Sequence, residues 1–154
     1  MNKLVIDSPL GPLTLLADDD ALVGVFMSGH PTPEAELRST KVLERTATQL
    51  GEYFAGTREE FDLPLAPQGT GFQQTVWRAL GTIPFGTTRS YAEIAKRIRR
   101  PKAMRAVGAA NGQNPISIII PCHRVIGANG ALVGYGGGLE RKQWLLRHEG
   151  AQLL

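Results

Sequence analysis

The chain has 154 residues, of which 42% are hydrophobic and 20% are charged. These values are typical of a globular protein with one ordinary domain or two small ones, and they exclude a disordered chain. No apolar stretch is long enough to cross a bilayer, and the first residues lack the apolar segment of a secretory signal. The single cysteine excludes an internal disulfide, so we expect a cytoplasmic protein. The net charge of +3 is a weak sign of a polyanionic partner.

The first third of the sequence predicts a small α+β domain. Short β-prone runs separated by turn residues between positions 2 and 27 predict two or three antiparallel strands. Apolar residues at helical spacing predict a helix from Pro33 to about Ala55. The turn-rich stretch at 66–71 then indicates a domain boundary. We therefore expect an N-terminal domain over residues 1–68 and a C-terminal domain over residues 69–154.

The C-terminal half is predicted to be mostly helical. Two capping boxes mark helix starts, one at Thr70 and one at Ser90. Pro101 suits the first turn of a third helix, and the last two helices, separated by few residues, outline a helix-turn-helix. The segment "ISIII" predicts a buried strand, and "LERKQWLLRHEG" predicts a final helix. The fold class is accordingly α+β, a small sheet-plus-helix domain followed by a mostly helical domain with a helix-turn-helix.

Basic residues are concentrated in the predicted helix-turn-helix. We call this the basic segment, and its members are Lys96, Arg97, Arg99, Arg100, Lys102 and Arg105. A run of charges is usually a solvated helix face, but this density with few acids favours phosphate binding. The third helix is otherwise rich in alanine and glycine. Its small residues fit either close packing on a neighbouring helix or insertion into a narrow groove, with Arg105 as the long polar side chain that penetrates.

The only cysteine, Cys122, stands between Pro121 and His123. A free cysteine is most often a small buried hydrophobe. Here a proline fixes the backbone before it and a histidine supplies a possible base, and a thiolate nucleophile needs a proton acceptor. Asn114, at the start of the predicted strand, could return a polar group to the thiol. No spacing of cysteine and histidine suits a metal, so we expect none. A thiol peptidase would also use cysteine and histidine, but it would need no basic helix-turn-helix.

The segment "IPCHRV", residues 120–125, resembles the active-site signature of the O6-alkylguanine-DNA alkyltransferases. The resemblance extends through "FQQTVWRALGTIPFGTTRSYAEIA", "RAVGAANGQNP" and "GYGGGLERKQWLLRHEG", and it covers nearly all of residues 72–150. The N-terminal part is similar in outline, which implies a ribonuclease H-like domain over residues 1–68.

The resemblance implies roles for individual residues. Cys122 would accept the alkyl group, and His123 would withdraw its proton through an ordered water. Glu149 would orient the imidazole. Asn114 would be the hinge between the recognition helix and the active-site strand. Tyr91 would lie near the phosphate and the base of the target nucleotide.

Further roles concern DNA and the base pocket. Arg105 would replace the extruded nucleotide, with Ala106 beside it on the recognition helix and the rest of the basic segment on phosphates. The backbone at Cys122 and Val125 would read the guanine edge, and the loop at Tyr135 and Gly136 would cover it. Many relatives have serine where this chain has Gly136, and some have proline where it has Ser117. Relatives that bind a structural zinc use N-terminal cysteines, which this chain lacks.

The implied function is DNA repair by direct, irreversible transfer of an alkyl group from O6-alkylguanine, and from O4-alkylthymine, to Cys122 after base flipping. Such a methylated-DNA–protein-cysteine methyltransferase acts once, needs no cofactor, and binds double-stranded DNA as a monomer; cooperative binding on DNA stays open. Two alternatives are a non-catalytic alkyltransferase-like protein and a helix-turn-helix regulator. The first type replaces the acceptor cysteine, which is present here, and the second leaves "PCHRV" and "GYGGG" unexplained.

Overall fold

The computed structural model describes residues 1–128, 130, 132, 135 and 137–151. The chain forms two compact units. Unit 1 comprises Met1–Gln68 and Pro115–Ser117, and unit 2 comprises Gly69–Asn114 and Ile118–Leu154. Within the described ranges, no helix has both the length and the apolar character that a membrane span requires.

Unit 1 contains a four-stranded sheet in the order β3-β2-β1-β4. Its strands are β1 (Asn2–Ile6), β2 (Leu13–Ala17), β3 (Leu22–Met27) and β4 (Glu36–Leu37). β1 pairs antiparallel with β2, and β2 pairs antiparallel with β3, which confirms the predicted antiparallel strands. β4 runs parallel to β1 at the edge of the sheet.

The helix of unit 1, α1 (Lys41–Phe54), begins later than the sequence predicted. The side chain of Thr40 caps it by accepting a hydrogen bond from the backbone N–H of Leu43. The predicted start at Pro33 was wrong because the next residues pair with a strand instead: Glu36 donates its backbone N–H to the carbonyl of Met1 at 3.1 Å. The buried face of the helix begins only at Leu43, whereas Leu37 is exposed, so residues 33–40 contribute no buried apolar face that would keep them helical.

The segment "ISIII" does not form the predicted strand. Ile116, which is fully buried, forms an isolated β-bridge to Val25 of unit 1. The chain then turns, and Ile118 adopts a φ of 73°, a left-handed conformation that no strand accommodates. Ser117, between these two residues, donates its backbone N–H to the carbonyl of Val25 at 3.3 Å. The apolar segment "ISIII" therefore forms a largely buried turn.

Unit 2 contains four helices in its described part. They are α2 (Gly71–Leu80), α3 (Tyr91–Arg97), α4 (Met104–Gly112) and α5 (Leu139–His148). Two short strands, β5 (Arg89–Ser90) and β6 (Val125–Ile126), pair in parallel. Both predicted capping boxes are present, at the starts of α2 and α3. The α+β class and the helix-turn-helix, formed by α3 and α4, are confirmed.

The recognition helix α4 begins at Met104 and not at Pro101. The backbone N–H of Ala103 donates to the carbonyl of Arg100 at 2.9 Å, which closes a β-turn over the intervening residues. Pro101 is the second residue of that turn, a position that suits its fixed φ as well as a helix start does. Just before it, Arg99 adopts a φ of 62° and ends the preceding helical stretch. The indole N–H of Trp77 in α2 donates to the carbonyl of Ala110 at 2.8 Å and fixes α4 against its neighbour.

Candidate active site around Cys122

Cys122 lies in a tight turn and not at the end of a strand. It begins a short 3-10 helix, Cys122–Arg124, in which the backbone N–H of Cys122 donates to the carbonyl of Ile120 at 2.8 Å and that of Arg124 donates to the carbonyl of Pro121 at 3.0 Å. The residue is 4% exposed. In a strand, successive side chains point to opposite faces, but in a helical turn they do not. Cys122 and His123 therefore do not point in opposite directions, as an extended segment would place them.

The groups around the Cys122 thiol shift its pKa in opposite directions. Burial raises the pKa of the Cys122 thiol, while a hydrogen bond from the Asn114 side chain and the positive charge of Lys142 lower it, and burial prevails. Asn114 also donates its amide Nδ2–H to the carbonyl of Ile120 at 2.8 Å, which holds the side chain toward this turn. The cysteine is therefore a neutral thiol at rest, with two groups placed to stabilise a thiolate.

His123 is fully buried and is joined to a carboxylate. Its Nε2 lies 2.8 Å from Oε2 of Glu149, and its Nδ1 meets no hydrogen-bond partner within the described residues. Since a carboxylate only accepts, Nε2 carries the hydrogen and Nδ1 keeps a lone pair that can take a proton. Burial lowers the pKa of His123, although the hydrogen bond and the charge of Glu149 act in the opposite direction. The neutral imidazole is thus available as a base.

Arg124 completes this buried charge cluster. Its Nε and Nη2 donate to Oε1 and Oε2 of Glu149 at 2.8 and 2.9 Å, and its Nη1 donates to the carbonyl of Ile83 at 2.7 Å. Burial alone would raise the pKa of Glu149, but the hydrogen bonds from His123 and Arg124 keep it well below the usual range of a carboxyl. Glu149 is therefore a fixed anion between a guanidinium and the imidazole.

Lys142 is a charged group at the site that sequence reasoning missed. Its side chain is fully buried, and Nζ donates to the carbonyl of Val125 at 2.6 Å. Burial lowers its pKa to about 8, and the charge of Cys122 acts against that shift. A signal was present in the sequence: Lys142 shares the apolar face of α5 with Leu145 and Leu146, three and four positions away, where a lysine is unexpected.

Tyr91 and Asn111 form a second polar pair near the thiol. Burial and then the charge of Cys122 raise the pKa of the Tyr91 phenol, whereas the side chain of Asn111 lowers it, and the net direction is upward. Asn111 is 3% exposed, and its Nδ2 lies 3.4 Å from the carbonyl oxygen of Cys122. The sequence predicted Tyr91 as a site residue, but it gave no signal for Asn111.

The remaining predicted residues fall into an exposed set and a pocket set. All six cations of the basic segment are exposed, and so is Ala106 on α4. Val125 is buried and Tyr135 is half-buried, whereas Gly136 lies outside the described residues. In the described part of the chain, no group of three or more histidine, cysteine or acidic side chains is placed to hold a metal ion.

Two family models match the chain. The ribonuclease-like domain of 6-O-methylguanine DNA methyltransferase matches residues 1–67, and the DNA binding domain of the same family matches residues 71–151. This chain belongs to the O6-methylguanine DNA methyltransferase family. The resemblance first seen in "IPCHRV" and its flanking segments is thereby confirmed.

Individual relatives of this family are similar over nearly their whole length. The methylated-DNA–protein-cysteine methyltransferase of Methanosarcina acetivorans is 50% identical, over 98% of this chain and 99% of its own. The protein of that name from Mycolicibacterium paratuberculosis is 52% identical, over 96% and 94%. The crystal structure of Mycobacterium tuberculosis OGT in complex with DNA superimposes with a TM-score of 0.92 and 51% identity, over 97% of this chain and 93% of that one.

Proposed function

We propose that this protein repairs DNA by transferring an alkyl group from O6-alkylguanine, and from O4-alkylthymine, to the sulfur of its own Cys122. The observation that carries the proposal is the buried thiol beside a neutral His123 whose ring is held by Glu149, in a chain of this family. A methylated-DNA–protein-cysteine methyltransferase activity requires a cysteine, a base and a surface that binds DNA. The candidates in this chain are Cys122, His123 and the exposed basic segment.

Each step of the transfer has a residue suited to it. His123 takes the thiol proton at Nδ1, through a water, and Lys142 and Asn114 stabilise the thiolate that results. The sulfur attacks the alkyl carbon, so that a carbon–sulfur bond forms while the bond to O6 breaks. Tyr91 gives a proton to the guanine ring as it leaves, and the Tyr91 phenolate then regains the proton held by His123 through solvent, so that the net proton transfer is from the thiol to guanine. The products are guanine and an S-alkylcysteine.

DNA binding is assigned to the helix-turn-helix. The six exposed cations of the basic segment have no acidic partner within ion-pair distance in the described part of the chain, so they are available to phosphates. Because O6 is hidden inside a duplex, the base must leave the stack, and Arg105 fills the vacated position from the minor groove. Ala106 beside it leaves room for α4 to approach the groove. Val125, Tyr135 and Gly136 are proposed to border the flipped base.

Residues 1–68 and 69–154 are proposed as separate domains, with the chemistry and DNA binding in the second. The two compact units and the separate family matches to residues 1–67 and 71–151 support this boundary. The protein is proposed to act as a monomer without a cofactor. A reaction that consumes a free thiol suits the reducing cytoplasm, which stays the expected location.

The test is a stoichiometric transfer assay. Protein mixed with excess duplex DNA containing O6-methylguanine should remove one methyl group per chain and then stop, because no ordinary side chain hydrolyses a thioether. The intact mass should rise by one methyl group, located on Cys122. The Cys122→Ser variant should bind the same DNA without transfer, whereas a non-catalytic binder or a regulator would show binding and no transfer in either protein. Turnover beyond one equivalent would contradict the irreversible mechanism.

A further inference from the structure

A surface depression in unit 2 brings together charged side chains that the proposed chemistry does not use. It has a volume of about 370 Å³ and lies between α3 and the loop that follows α2. The residues that line it include Ile83, Arg89, Glu93, Ile94, Lys96 and Arg97. Lys96 and Arg97 belong to the basic segment, whereas Arg89 lies outside it and was not predicted as a site residue.

The depression has an apolar floor and a charged rim. Ile83 and Ile94 are 3% and 1% exposed, so these two side chains border it from the interior. The charged side chains are exposed or half-buried, and those on α3 lie three and four residues apart on one face of the helix. The rim thus combines three positive charges with one negative charge.

The negative charge of Glu93 is already engaged at the start of α3. Its Oε1 accepts from the backbone N–H of Ser90 at 3.1 Å, as the capping box requires. Its Oε2 lies 3.9 Å from Nε of Arg89, which is long for an ion pair, and the two side chains are 58% and 40% exposed. Lys96 and Arg97 have no acidic partner within ion-pair distance among the described residues. The depression therefore keeps an excess of positive charge.

Two neighbours orient the guanidinium of Arg89. Its Nη1 donates to the carbonyl of Thr88 at 2.9 Å, and its Nε lies on the side of Glu93. Its Nη2 has no hydrogen-bond partner in the part of the chain that the structure describes. The two N–H groups of Nη2 therefore remain to donate to a ligand while the other contacts stay in place.

These features match the sugar–phosphate backbone of DNA. Arginine and lysine side chains only donate, so the ligand must bring acceptor atoms and negative charge, as a phosphate does. The apolar floor offers nothing to a free inorganic anion, but it suits the carbon-rich face of a deoxyribose. Continuity with the basic segment through Lys96 and Arg97 favours DNA over an acidic peptide, because the helix before a recognition helix crosses the DNA backbone.

We propose that this depression binds one phosphate and the adjoining deoxyribose of the DNA backbone, and that Arg89 is a DNA-binding residue alongside Lys96 and Arg97. This inference rests on the proposed function, because it adds a backbone contact to the DNA that the function requires. The carboxylate of Glu93 lies beside the bound phosphate and weakens its binding. A phosphate contact carries no sequence information, so it acts on damaged and undamaged duplex alike.

The first experiment measures the affinity for undamaged duplex by fluorescence anisotropy at several salt concentrations. One lost phosphate contact reduces the slope of log affinity against log salt concentration by about 0.9. The affinity deficit of Arg89→Met should therefore shrink by about 3.5-fold between about 50 and 200 mM salt. Arg45→Met is the matched control, because it removes an exposed arginine of unit 1 that is also paired with a carboxylate. Its slope should equal that of the unaltered protein, and an unchanged slope for Arg89→Met would overturn the proposal.

Glu93→Gln should change the affinity in the opposite direction. Glutamine keeps the capping box, since its side-chain oxygen also accepts from the backbone N–H of Ser90, but it carries no charge. Affinity for undamaged duplex should rise by about 1.5-fold to 5-fold at low salt, which is the range for one exposed charge pair, and the gain should fade as the salt concentration rises. An affinity equal to or below that of the unaltered protein would show that no phosphate lies beside this carboxylate.

A third measurement uses the unaltered protein and covers variants that fail to fold. In protein with nitrogen-labelled arginine, undamaged duplex should shift the side-chain signal of Arg89, whereas inorganic phosphate and an oligoglutamate peptide at the same concentration of charge should shift it much less. A signal that does not move with duplex, or that moves as far with either comparison ligand, would refute the proposal. Should the unaltered protein transfer no methyl group, the proposed function fails, while these measurements on undamaged DNA still report on the depression.

Discussion

Replacement of Glu149 by glutamine should destabilise the protein strongly. Glutamine has the same size but no charge, and it offers one acceptor oxygen where the carboxylate uses both to accept from Arg124 and His123. Arg124 is only 6% exposed, so it would keep a positive charge in the interior without a compensating anion. Removal of one partner from a buried ion pair costs about 3–5 kcal/mol, which is a large share of the roughly 5–15 kcal/mol that stabilises a domain.

The assay is urea unfolding at neutral pH, followed by tryptophan fluorescence. With a slope of about 2 kcal/mol per M, the expected loss moves the midpoint down by about 2 M. The double variant Glu149→Gln with Arg124→Met is the companion, since it also removes the stranded charge and fills its space with an apolar side chain. It should recover much of the free energy of unfolding while methyl transfer stays slow, because His123 still lacks its anionic partner.

The pH dependence of the free energy of unfolding is an independent check that ionised Glu149 stabilises the folded state. The pKa of Glu149 is held below that of an unfolded carboxyl, so the folded state binds its proton less readily than the unfolded state. The contribution of Glu149 to stability is therefore complete above about pH 4.3 and is lost as the pH falls through the folded pKa. The stability difference between the unaltered protein and Glu149→Gln should shrink on acidification below that point. A cost under about 1 kcal/mol at neutral pH, or a difference that does not change in acid, would refute the reasoning.

Three other predictions concern DNA and Lys142. Arg105→Ala should slow repair in duplex far more than repair of the free modified base, because it removes the group that we propose fills the vacated stack; equal losses would place Arg105 in folding or chemistry. DNA affinity should fall steeply as the salt concentration rises. The double substitution Lys96→Ala with Lys102→Ala should reduce the slope of log affinity against log salt concentration by about 2. Lys41→Ala, which changes an exposed lysine outside the basic segment, should leave this slope unchanged. The pKa of Lys142 is about 8, below that of an unfolded lysine. The free energy of unfolding of the unaltered protein should therefore rise relative to that of Lys142→Met between about pH 8 and 10.4, and the difference between the two proteins should be constant below that range. A difference that is constant at every pH would show that the pKa of Lys142 is ordinary.

The parts of the fold that the sequence predicted correctly depend on local chemistry. The capping boxes at Thr70 and Ser90 set helix starts through side chains within three residues, and both are present. The errors lie where distant pairing or a turn competes with a helix or strand. Residues 36–37 join the edge of a sheet, Pro101 enters a β-turn, and "ISIII" turns after one bridge. For residues 36–37 and "ISIII" the deciding partners are far away in the sequence, and for Pro101 the local pattern suits a β-turn as well as a helix start.

Part of the candidate site could also be predicted from the sequence, because some of its residues are close together in the chain. Cys122 and His123 are adjacent in the sequence, and the family resemblance singled out Glu149, which accepts from His123 across 26 positions. Lys142 was overlooked although it interrupts an apolar helix face. Asn111 could not be found, since a polar residue within a helix ordinarily points to solvent, and its burial depends on where Tyr91 and Cys122 are placed by other elements.

The fixed charges of the site match the reacting state better than the resting one. At rest the thiol and the imidazole are both neutral, and burial favours that form of each. Proton transfer from Cys122 to His123 would create an anion near Lys142 and a cation against Glu149, so each new charge meets an opposite charge that is already in position. Interactions that strengthen only as the reaction proceeds lower its barrier without stabilising the starting state. In the proposed reaction, the buried cysteine can therefore rest as a neutral thiol and become a nucleophile without rearrangement of the surrounding charges.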